Sequence, residues 1–193
     1  MNTTTAWYGF YIADNGDEAS TSGIELELNG SLTDSMGYHL GYTYVKAELE
    51  ADFFSTQTDS LVAPKGSTLP GTPATVFTAS MDYTWQLTGG MDLIGRANAY
   101  YPSESENFVD AEARQAQTHD DFWLFSGSLA LITQNWDVTL YGKNLGDEEG
   151  ITGAFPSSHW SFDTGSFESW YGNGNRQMIT QPRTIGLAAT YRF

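Results

Sequence analysis

The 193-residue sequence contains no cysteine, which excludes disulfide scaffolds, cysteine-ligated zinc sites and thiol nucleophiles. Positive charge is scarce: 8 Lys and Arg stand against 24 Asp and Glu, so the formal net charge is −16. Nucleic acid needs basic partners for its phosphates, and a basic surface cannot be assembled from so few cations. We therefore expect no nucleic-acid partner.

Long apolar runs are also absent. No stretch approaches the ~18 apolar residues of a membrane-spanning helix, because Gly, Asp, Thr or Asn interrupts each run. Residues 1–7 lack the basic and apolar regions of a secretory signal. If the chain meets a bilayer, it must cross it as strands. Either it is cytosolic, or its true N-terminus lies upstream of Met1.

Apolar and polar residues alternate with a period of two through most of the chain. In the C-terminal run, Ile185, Leu187, Ala189 and Tyr191 alternate with small or polar residues, which is typical of a strand with one apolar face. Six similar runs precede it, at residues 24–32, 38–44, 77–85, 91–101, 123–131 and 136–143. The pattern predicts an all-β protein with seven strands. An eighth, from Ala6 to Ile12, could instead be the upper part of the strand through Ile24.

Strand length and loop asymmetry favour a membrane barrel. With the residues that flank each alternating run, the predicted strands have roughly 10 to 14 residues, whereas soluble strands usually have about 5–6 and tilted membrane strands need about 9–11. Short turns near Asp34, Thr88 and Gln134 alternate with long connections at 51–72, 102–119 and 146–181. Short turns on one side and long loops on the other are typical of outer-membrane barrels. A soluble β-sandwich with a core of strand aromatics is the alternative.

The polar face carries charges in the middle of several strands. Such charges are costly in a dry core but ordinary in a watery or plug-filled lumen. We therefore expect the apolar face to meet lipid and the polar face to line a lumen. The residues predicted to face the lumen are Glu25, Glu27, Asn29, His39, Arg96, Asn98 and Arg192.

Four stretches, in this order along the chain, carry a family resemblance: residues 19–28 (ASTSGIELEL), 69–73 (LPGTP), 140–148 (LYGKNLGDE) and 181–193 (QPRTIGLAATYRF). Together they resemble the C-terminal part of TonB-dependent outer-membrane receptors of the siderophore-receptor type. The resemblance covers nearly the whole chain. It implies antiparallel transmembrane β-barrel strands, seven or eight here, forming a partial barrel of a larger receptor with about 22 strands.

The same resemblance implies a function and its partners. Residues 1–193 would be a single domain, the C-terminal segment of a receptor barrel in the outer membrane of a Gram-negative bacterium. The activity would be TonB-dependent uptake of a scarce nutrient, most often a ferric siderophore. In the family the plug precedes the barrel, and no plug is visible in this sequence. The TonB complex would therefore be engaged only through that missing plug.

Further partners follow from the barrel reading. Outer-membrane lipid and lipopolysaccharide would surround the strands, and the barrel-assembly machinery would read the terminal Tyr191 and Phe193. The last long connection is rich in aromatic residues, which would either grip a small-molecule substrate such as a metal chelate or pack the loop on its neighbours. The candidates for substrate contact are His159, Trp160, Phe162, Trp170 and Tyr171.

Other readings are weaker. A small, self-contained eight-stranded outer-membrane barrel with a structural or adhesion role would need eight closable strands and a secretion signal. An outer-membrane hydrolase would need a Ser/His pair, and His119 and His159 have no supporting motif. Residues 147–149 lack the ligand ladder of a calcium loop. We expect no catalytic residue, no cofactor and no metal site.

Overall fold

The computed structural model describes residues 2–5, 11–14, 18–56, 59–112, 116–155, 158–161, 166–169 and 176–193. Within these residues the regular secondary structure is all β. The strands are β1 (Asn2–Thr5), β2 (Tyr11–Asp14), β3 (Ala19–Thr33), β4 (Met36–Leu49), β5 (Phe53–Phe54), β6 (Leu61–Ala63), β7 (Thr75–Leu87), β8 (Met91–Pro102), β9 (Ser105–Glu106), β10 (Thr118–His119), β11 (Leu124–Ile132), β12 (Trp136–Lys143), β13 (Ile151–Phe155), β14 (Ser158–Ser161), β15 (Ser166–Ser169), β16 (Arg176–Ile179) and β17 (Thr184–Tyr191). A search of the same residues finds no helix with the length and apolarity to span a membrane.

Seven strands form one antiparallel sheet in the order β3, β4, β7, β8, β11, β12, β17. Each long strand lies beside the next long strand in sequence, so the sheet is a meander. Its strands have 8 to 15 residues. The predicted all-β class and the seven predicted strands are confirmed.

At the N-terminus the structure differs from the predicted eighth strand, Ala6 to Ile12. Asn2–Thr5 pairs with Tyr11–Asp14 in a separate two-stranded sheet, and residues 6–10 lie outside the described residues. Residues 11–14 therefore pair with residues 2–5 and not with a strand of the described seven-stranded sheet, and the link between them and β3 lies partly outside the described residues. Apolar alternation alone did not reveal that residues 2–5 would pair back on them.

Short turns join the long strands at one end of the sheet. Between β7 and β8, Gly89 and Gly90 have φ values of 80° and 72°, a left-handed region that favours glycine. Between β11 and β12, the Thr133 hydroxyl accepts a hydrogen bond from the Trp136 amide and donates one to the Trp136 carbonyl. Local side-chain and backbone chemistry therefore sets these turns.

Strand register assembles a continuous apolar face. Leu129 lies opposite Gly95 on one side and Leu140 on the other, and Leu140 lies opposite Leu187. This face stays uncovered: Leu187 is 69% exposed and Leu26 is 60% exposed. A soluble protein would bury such a surface, whereas a lipid-facing wall presents it.

Aromatic rings gather at both ends of this apolar face. At the long-loop end, Trp123 lies 5.8 Å from Phe77, 4.8 Å from Tyr101 and 5.7 Å from Phe125, measured between ring centroids. At the short-turn end, the Tyr83 and Trp85 centroids are 4.6 Å apart. Two such belts are typical of membrane strands, because the rings settle at the two lipid–water interfaces.

The opposite face is polar, as predicted. His39 lies between Asn29 and Ser80 in register, and its Nε2 is 3.6 Å from Oε1 of Glu27. One strand along, Asp82 lies opposite Arg96. The residues predicted to line a lumen therefore share one face of the sheet.

The buried apolar cluster lies at the end of β4 and in the long connections beyond it. Leu49, Phe53, Ala63 and Val109 are at most 5% exposed and pack together, with Val62 and Leu69 against them. Backbone hydrogen bonds tie the end of β4 to this cluster, since Leu49 donates to the Ser67 carbonyl and accepts from the Gly66 amide. The connection after β4 is thus an ordered cap on the sheet.

The last long connection is built of antiparallel ladders. β13 pairs with β16, and β14 pairs with β15. The sequence did not predict these strands, which lie in the region first read as an aromatic-rich loop.

An arginine scan of β17 tests which face meets lipid. Leu187 and Ala188 are adjacent and both exposed, so Leu187→Arg and Ala188→Arg would be tolerated alike by a sheet in water. In a bilayer, Leu187→Arg should cost about 2–4 kcal/mol, whereas Ala188→Arg should cost much less. Urea titration of refolding into liposomes measures both values. Equal costs would show that the assigned facing is wrong.

Candidate functional site

The predicted substrate-contact residues fall in the last long connection. His159 lies on β14 opposite Glu168, and Trp160 lies opposite Phe167. Phe162, Trp170 and Tyr171 lie outside the described residues. Their role in substrate contact stays a prediction.

The predicted terminal signal lies at the short-turn end of the sheet. The Tyr191 ring is 4.9 Å from Trp136 and 5.1 Å from Phe193, measured between centroids. Beside these rings Arg192 pairs with Asp137. The last residues therefore expose an aromatic cluster, while the role of Tyr191 and Phe193 in barrel assembly stays a prediction.

Three long connections meet at the opposite end and enclose a pocket of about 250 Å³, which we call the rim pocket. The loop before β7, the segment between β8 and β11, and the start of β13 each contribute to it. A backbone hydrogen bond of 2.7 Å from the Gly71 amide to the Glu106 carbonyl joins the first two. The lining residues are Gly71, Pro73, Tyr100, Pro102, Ser103, Ser105, His119, Asp120, Phe122, Leu124, Ile151 and Thr152.

One wall of the rim pocket is polar and the other apolar. His119 is 8% exposed, and its Nδ1 lies 3.4 Å from the Ser105 hydroxyl oxygen. Its buried Nε2 has no hydrogen-bond partner among the described residues. On the apolar wall Phe122 is also 8% exposed, with its ring centroid 6.5 Å from that of Tyr100. A side chain at Gly150 would strike Phe122, since a Cβ there would lie 2.4 Å from that ring.

Glu50 fastens the loop after β4. Its carboxylate accepts a hydrogen bond from the Ser20 hydroxyl, and its Oε2 lies 3.3 Å from Nζ of Lys65. Asp52 accepts a 2.8 Å hydrogen bond from the Lys65 amide. The Ser20 hydrogen bond and then the Lys65 ammonium lower the pKa of Glu50 below its usual value. The charged form therefore stabilises the loop.

Asn144 fastens the ends of the last long connection. It is 7% exposed, and its Nδ2 donates to the carbonyls of Glu148 and Gln181 at 2.9 and 2.8 Å. Its Oδ1 accepts from the Glu148 amide at 2.9 Å. Its φ of 47° lies in the left-handed region, which Asn tolerates better than most residues. We call this set of bonds the loop clamp.

Asp147 extends the loop clamp to β17. Its two carboxylate oxygens accept from the Arg183 amide at 2.9 Å and from the Arg183 guanidinium at 3.3 Å. The stretches 140–148 and 181–193, which the sequence singled out separately, therefore meet in space. Within the acidic run 147–149, the Asp147 carboxylate makes this contact. No group of three or more metal-ligating side chains occurs within the described ranges.

Sequence reasoning missed both the rim pocket and the loop clamp. It identified His119 as a loop histidine without a motif, and it treated Asn144 only as part of a family-like stretch. The single available signal for Asn144 was its place before Leu-Gly-Asp, a context typical of turns.

Comparisons with known proteins agree on one family. A family model described as "TonB dependent receptor-like, beta-barrel" matches residues 1–145. The "Probable TonB-dependent siderophore receptor PiuA" of Acinetobacter baumannii is 27% identical over 151 residues, which are 75% of this chain and 19% of that protein. The chain thus spans about a fifth of the length of this curated relative.

Solved structures share the fold. The ferric yersiniabactin uptake receptor FyuA from Yersinia pestis has a TM-score of 0.68 at 16% identity, covering 91% of this chain and 24% of that one. The ferric-catecholate import receptor Fiu from E. coli K12 has a TM-score of 0.65 at 23% identity, covering 99% and 23%. At these identities the likeness concerns the fold.

Replacing Asn144 tests the loop clamp. Asn144→Ala removes three hydrogen bonds of a buried side chain, each worth about 1 kcal/mol, and should cost on the order of 3 kcal/mol in unfolding free energy. Asn144→Gly loses the same bonds but relieves the left-handed backbone, so it should be about 1 kcal/mol less damaging than Asn144→Ala. Urea unfolding in detergent micelles measures both. A loss under about 1 kcal/mol for Asn144→Ala would contradict the clamp.

Acid should loosen the Glu50 contact. Because the folded state lowers the pKa of Glu50, its stabilising effect is complete at neutral pH and is lost as the pH falls below 4.5. Hydrogen exchange at the amides of Lys65 and Gly66 should then accelerate relative to the sheet. In Glu50→Gln this exchange should be fast at neutral pH and should change little on acidification beyond what Asp52 contributes. Identical profiles for both proteins would refute the role of Glu50.

Proposed function

This chain belongs to the TonB-dependent receptor β-barrel family, and from that membership we propose that it is part of an outer-membrane receptor that takes up a ferric siderophore. The family consists of receptors rather than enzymes. The observation that carries the proposal is the seven-stranded meander with an uncovered apolar face and long, ordered connections at one end. Such a sheet suits a receptor wall whose loops meet the substrate outside the cell.

The proposal that the substrate is a siderophore rests on the proteins that this chain resembles. PiuA is described as a probable siderophore receptor, and FyuA and Fiu as receptors for ferric yersiniabactin and ferric catecholates. We infer the same substrate class here, a metal chelate, with energy from the TonB complex delivered through a plug domain. The substrate itself is not assigned.

Location and surroundings follow from the same proposal. The chain would lie in the outer membrane of a Gram-negative bacterium, with lipid against the apolar face and lipopolysaccharide around the long connections. Tyr191 and Phe193 would be read by the barrel-assembly machinery. His159, Trp160, Phe162, Trp170 and Tyr171 would contact the chelate from the last long connection.

The barrel around this sheet would be larger than seven strands. Within the described residues β3 and β17 each pair on one side only. Unpaired backbone groups are not stable in hydrocarbon, so further strands would have to continue the sheet at both edges. We therefore propose residues 1–193 as one segment of the receptor barrel, which agrees with the share of each relative that it spans.

Removing the last long connection tests the uptake role. Residues 151–179 can be replaced by a short Gly-Ser linker, because Gly150 and Thr180 already meet through a 2.9 Å backbone hydrogen bond. In the source organism this deletion should abolish uptake of radioactive iron from its own iron-starved culture medium, while the protein still reaches the outer membrane. The same linker inserted between Gly89 and Gly90, at the opposite end, is the matched control and should leave iron uptake intact.

Two outcomes would contradict the proposal. If deleting the whole gene leaves iron uptake unchanged, the siderophore role is wrong. If an immunoblot of outer membranes shows only a folded 21.2 kDa species, the alternative of a small self-contained barrel with a structural or adhesion role is supported instead. The receptor proposal expects a band several times larger.

A further inference from the structure

The apolar face of the sheet is not level. Two adjoining depressions of about 440 and 600 Å³ lie on it, and both are lined by Met81 and Ala97. We call the continuous depression the wall groove. Its floor is formed by Ala97, Gly127 and Gly142. The apolar face therefore contains an open groove rather than a smooth wall.

Strand register forms the floor of the wall groove. Ala97 lies opposite Gly127, and Gly127 lies opposite Gly142, so three neighbouring strands place very small residues side by side. A Cβ atom at Gly127 would have only the Arg96 carbonyl oxygen, at 3.0 Å, within 4 Å of it. No side chain from a neighbouring strand therefore fills the space above Gly127.

An occupant can reach the sides of the wall groove from outside the sheet. Leu129 and Leu140 form the pair next to Gly127 and Gly142 in register, and they are 47% and 49% exposed. Met81, where the two depressions meet, is 45% exposed. The surfaces that would contact an occupant are therefore open.

The side chains on this face of the groove carry no charge. Asp82 and Arg96 alternate with the groove residues of β7 and β8, so they lie on the opposite face. The Tyr141 ring also lies on that opposite face, since a Cβ atom at Gly186 would be 2.4 Å from it. The groove therefore offers contacts for hydrocarbon and no partner for a charged group.

The position of the wall groove points to a lipid acyl chain as its occupant. The groove lies between the two aromatic belts, which is the depth of the hydrocarbon core. Tyr83 and Trp85 of the short-turn belt line it, so a chain would enter from that interface. Short turns of outer-membrane barrels face the periplasm. The lipid therefore belongs to the periplasmic leaflet and is a phospholipid.

The wall groove also has the length and the direction that an acyl chain needs. From Met81 on β7 to Gly142 on β12 there are three strand spacings, roughly 14 Å, and half of the hydrocarbon core is roughly 15 Å. Membrane strands tilt by about 45°, so a row of residues across them is tilted by about 45° as well. A chain can follow such a row while its headgroup stays at the interface.

Packing rather than the hydrophobic effect would retain the chain. A chain that moves from bulk lipid into the groove removes no apolar surface from water, because lipid tails are as apolar as the groove. In the groove it contacts the floor and both sides, whereas on a smooth wall it makes contact on one side. It therefore gains dispersion contacts and exchanges more slowly than its neighbours.

We propose that the wall groove holds one acyl chain of a phospholipid, which stays with the protein longer than the surrounding lipids do. The inference rests on the proposed outer-membrane location and on no assignment of the substrate. A receptor for another nutrient would retain the same lipid.

Native mass spectrometry of the protein, purified from its outer membrane in mild detergent, tests the proposal because it counts the phospholipids that remain bound. Ala97 is exposed on the groove floor, so Ala97→Leu fills the groove with an apolar side chain. Ala189→Leu makes the same exchange at an exposed position of the same face, opposite Val138 and outside the groove lining. Ala97→Leu should retain about one phospholipid fewer than the unchanged protein, and Ala189→Leu should retain the same number.

A second variant keeps the test decisive. Ala99→Leu fills the other depression and should reproduce the loss even if Ala97→Leu fails to reach the membrane. The phospholipid count does not depend on iron uptake, so a wrong substrate would leave this result unchanged. Absence of the unchanged protein from outer membranes would refute the location and the inference with it.

The lipid counts can contradict the proposal in several ways. Equal phospholipid counts in Ala97→Leu, Ala99→Leu and Ala189→Leu would overturn it, and so would an unchanged protein that retains no phospholipid. Loss of lipopolysaccharide instead of phospholipid would show that the occupant is wrong. A loss confined to one phospholipid headgroup would also overturn it, since a site for the chain does not contact the headgroup.

Discussion

Strand pairing is the interaction on which the rest of this structure depends. In hydrocarbon there is no water to satisfy an N–H or C=O group, so every strand must pair with its neighbours. Once Leu129 lies opposite Leu140, the period of two assigns each following side chain to the apolar face or to the polar face. The exposed apolar wall, the two aromatic belts and the polar row at Asp82 and Arg96 are consequences of one register.

Three of the few Lys and Arg side chains form ion pairs at the ends of strands. Lys65 lies against Glu50 above β4, Arg183 against Asp147 at the start of β17, and Arg192 against Asp137 at its end. Each pair joins segments that are distant in sequence but meet at a strand end. In a chain with a net charge of −16, placing positive charge at these junctions also reduces repulsion where loops crowd together.

The sheet could be predicted from sequence because its signals are local. Alternation through Ile185, Leu187 and Ala189 reports a strand and its faces without knowledge of any partner. The paired segment at residues 2–5, the ladders of the last connection and the small core around Phe53 escaped prediction because short strands carry little periodicity. The rim pocket and the loop clamp could not be predicted, for a different reason. The burial of His119, whose Nε2 has no partner among the described residues, and of the Asn144 amide depends on residues far away in the chain, and a linear pattern does not contain those distances.

The loop clamp turns the last long connection into a closed ring. Asn144 and Gln181 are 37 residues apart in sequence, yet a 2.8 Å hydrogen bond joins them. The segment between these two residues begins and ends at fixed positions. Changes in its length or composition therefore do not shift the register of β12 and β17. Evolution can exchange such a segment as a cassette while the sheet that carries it folds as before. The connection and the sheet are thereby allowed to change at different rates within one polypeptide.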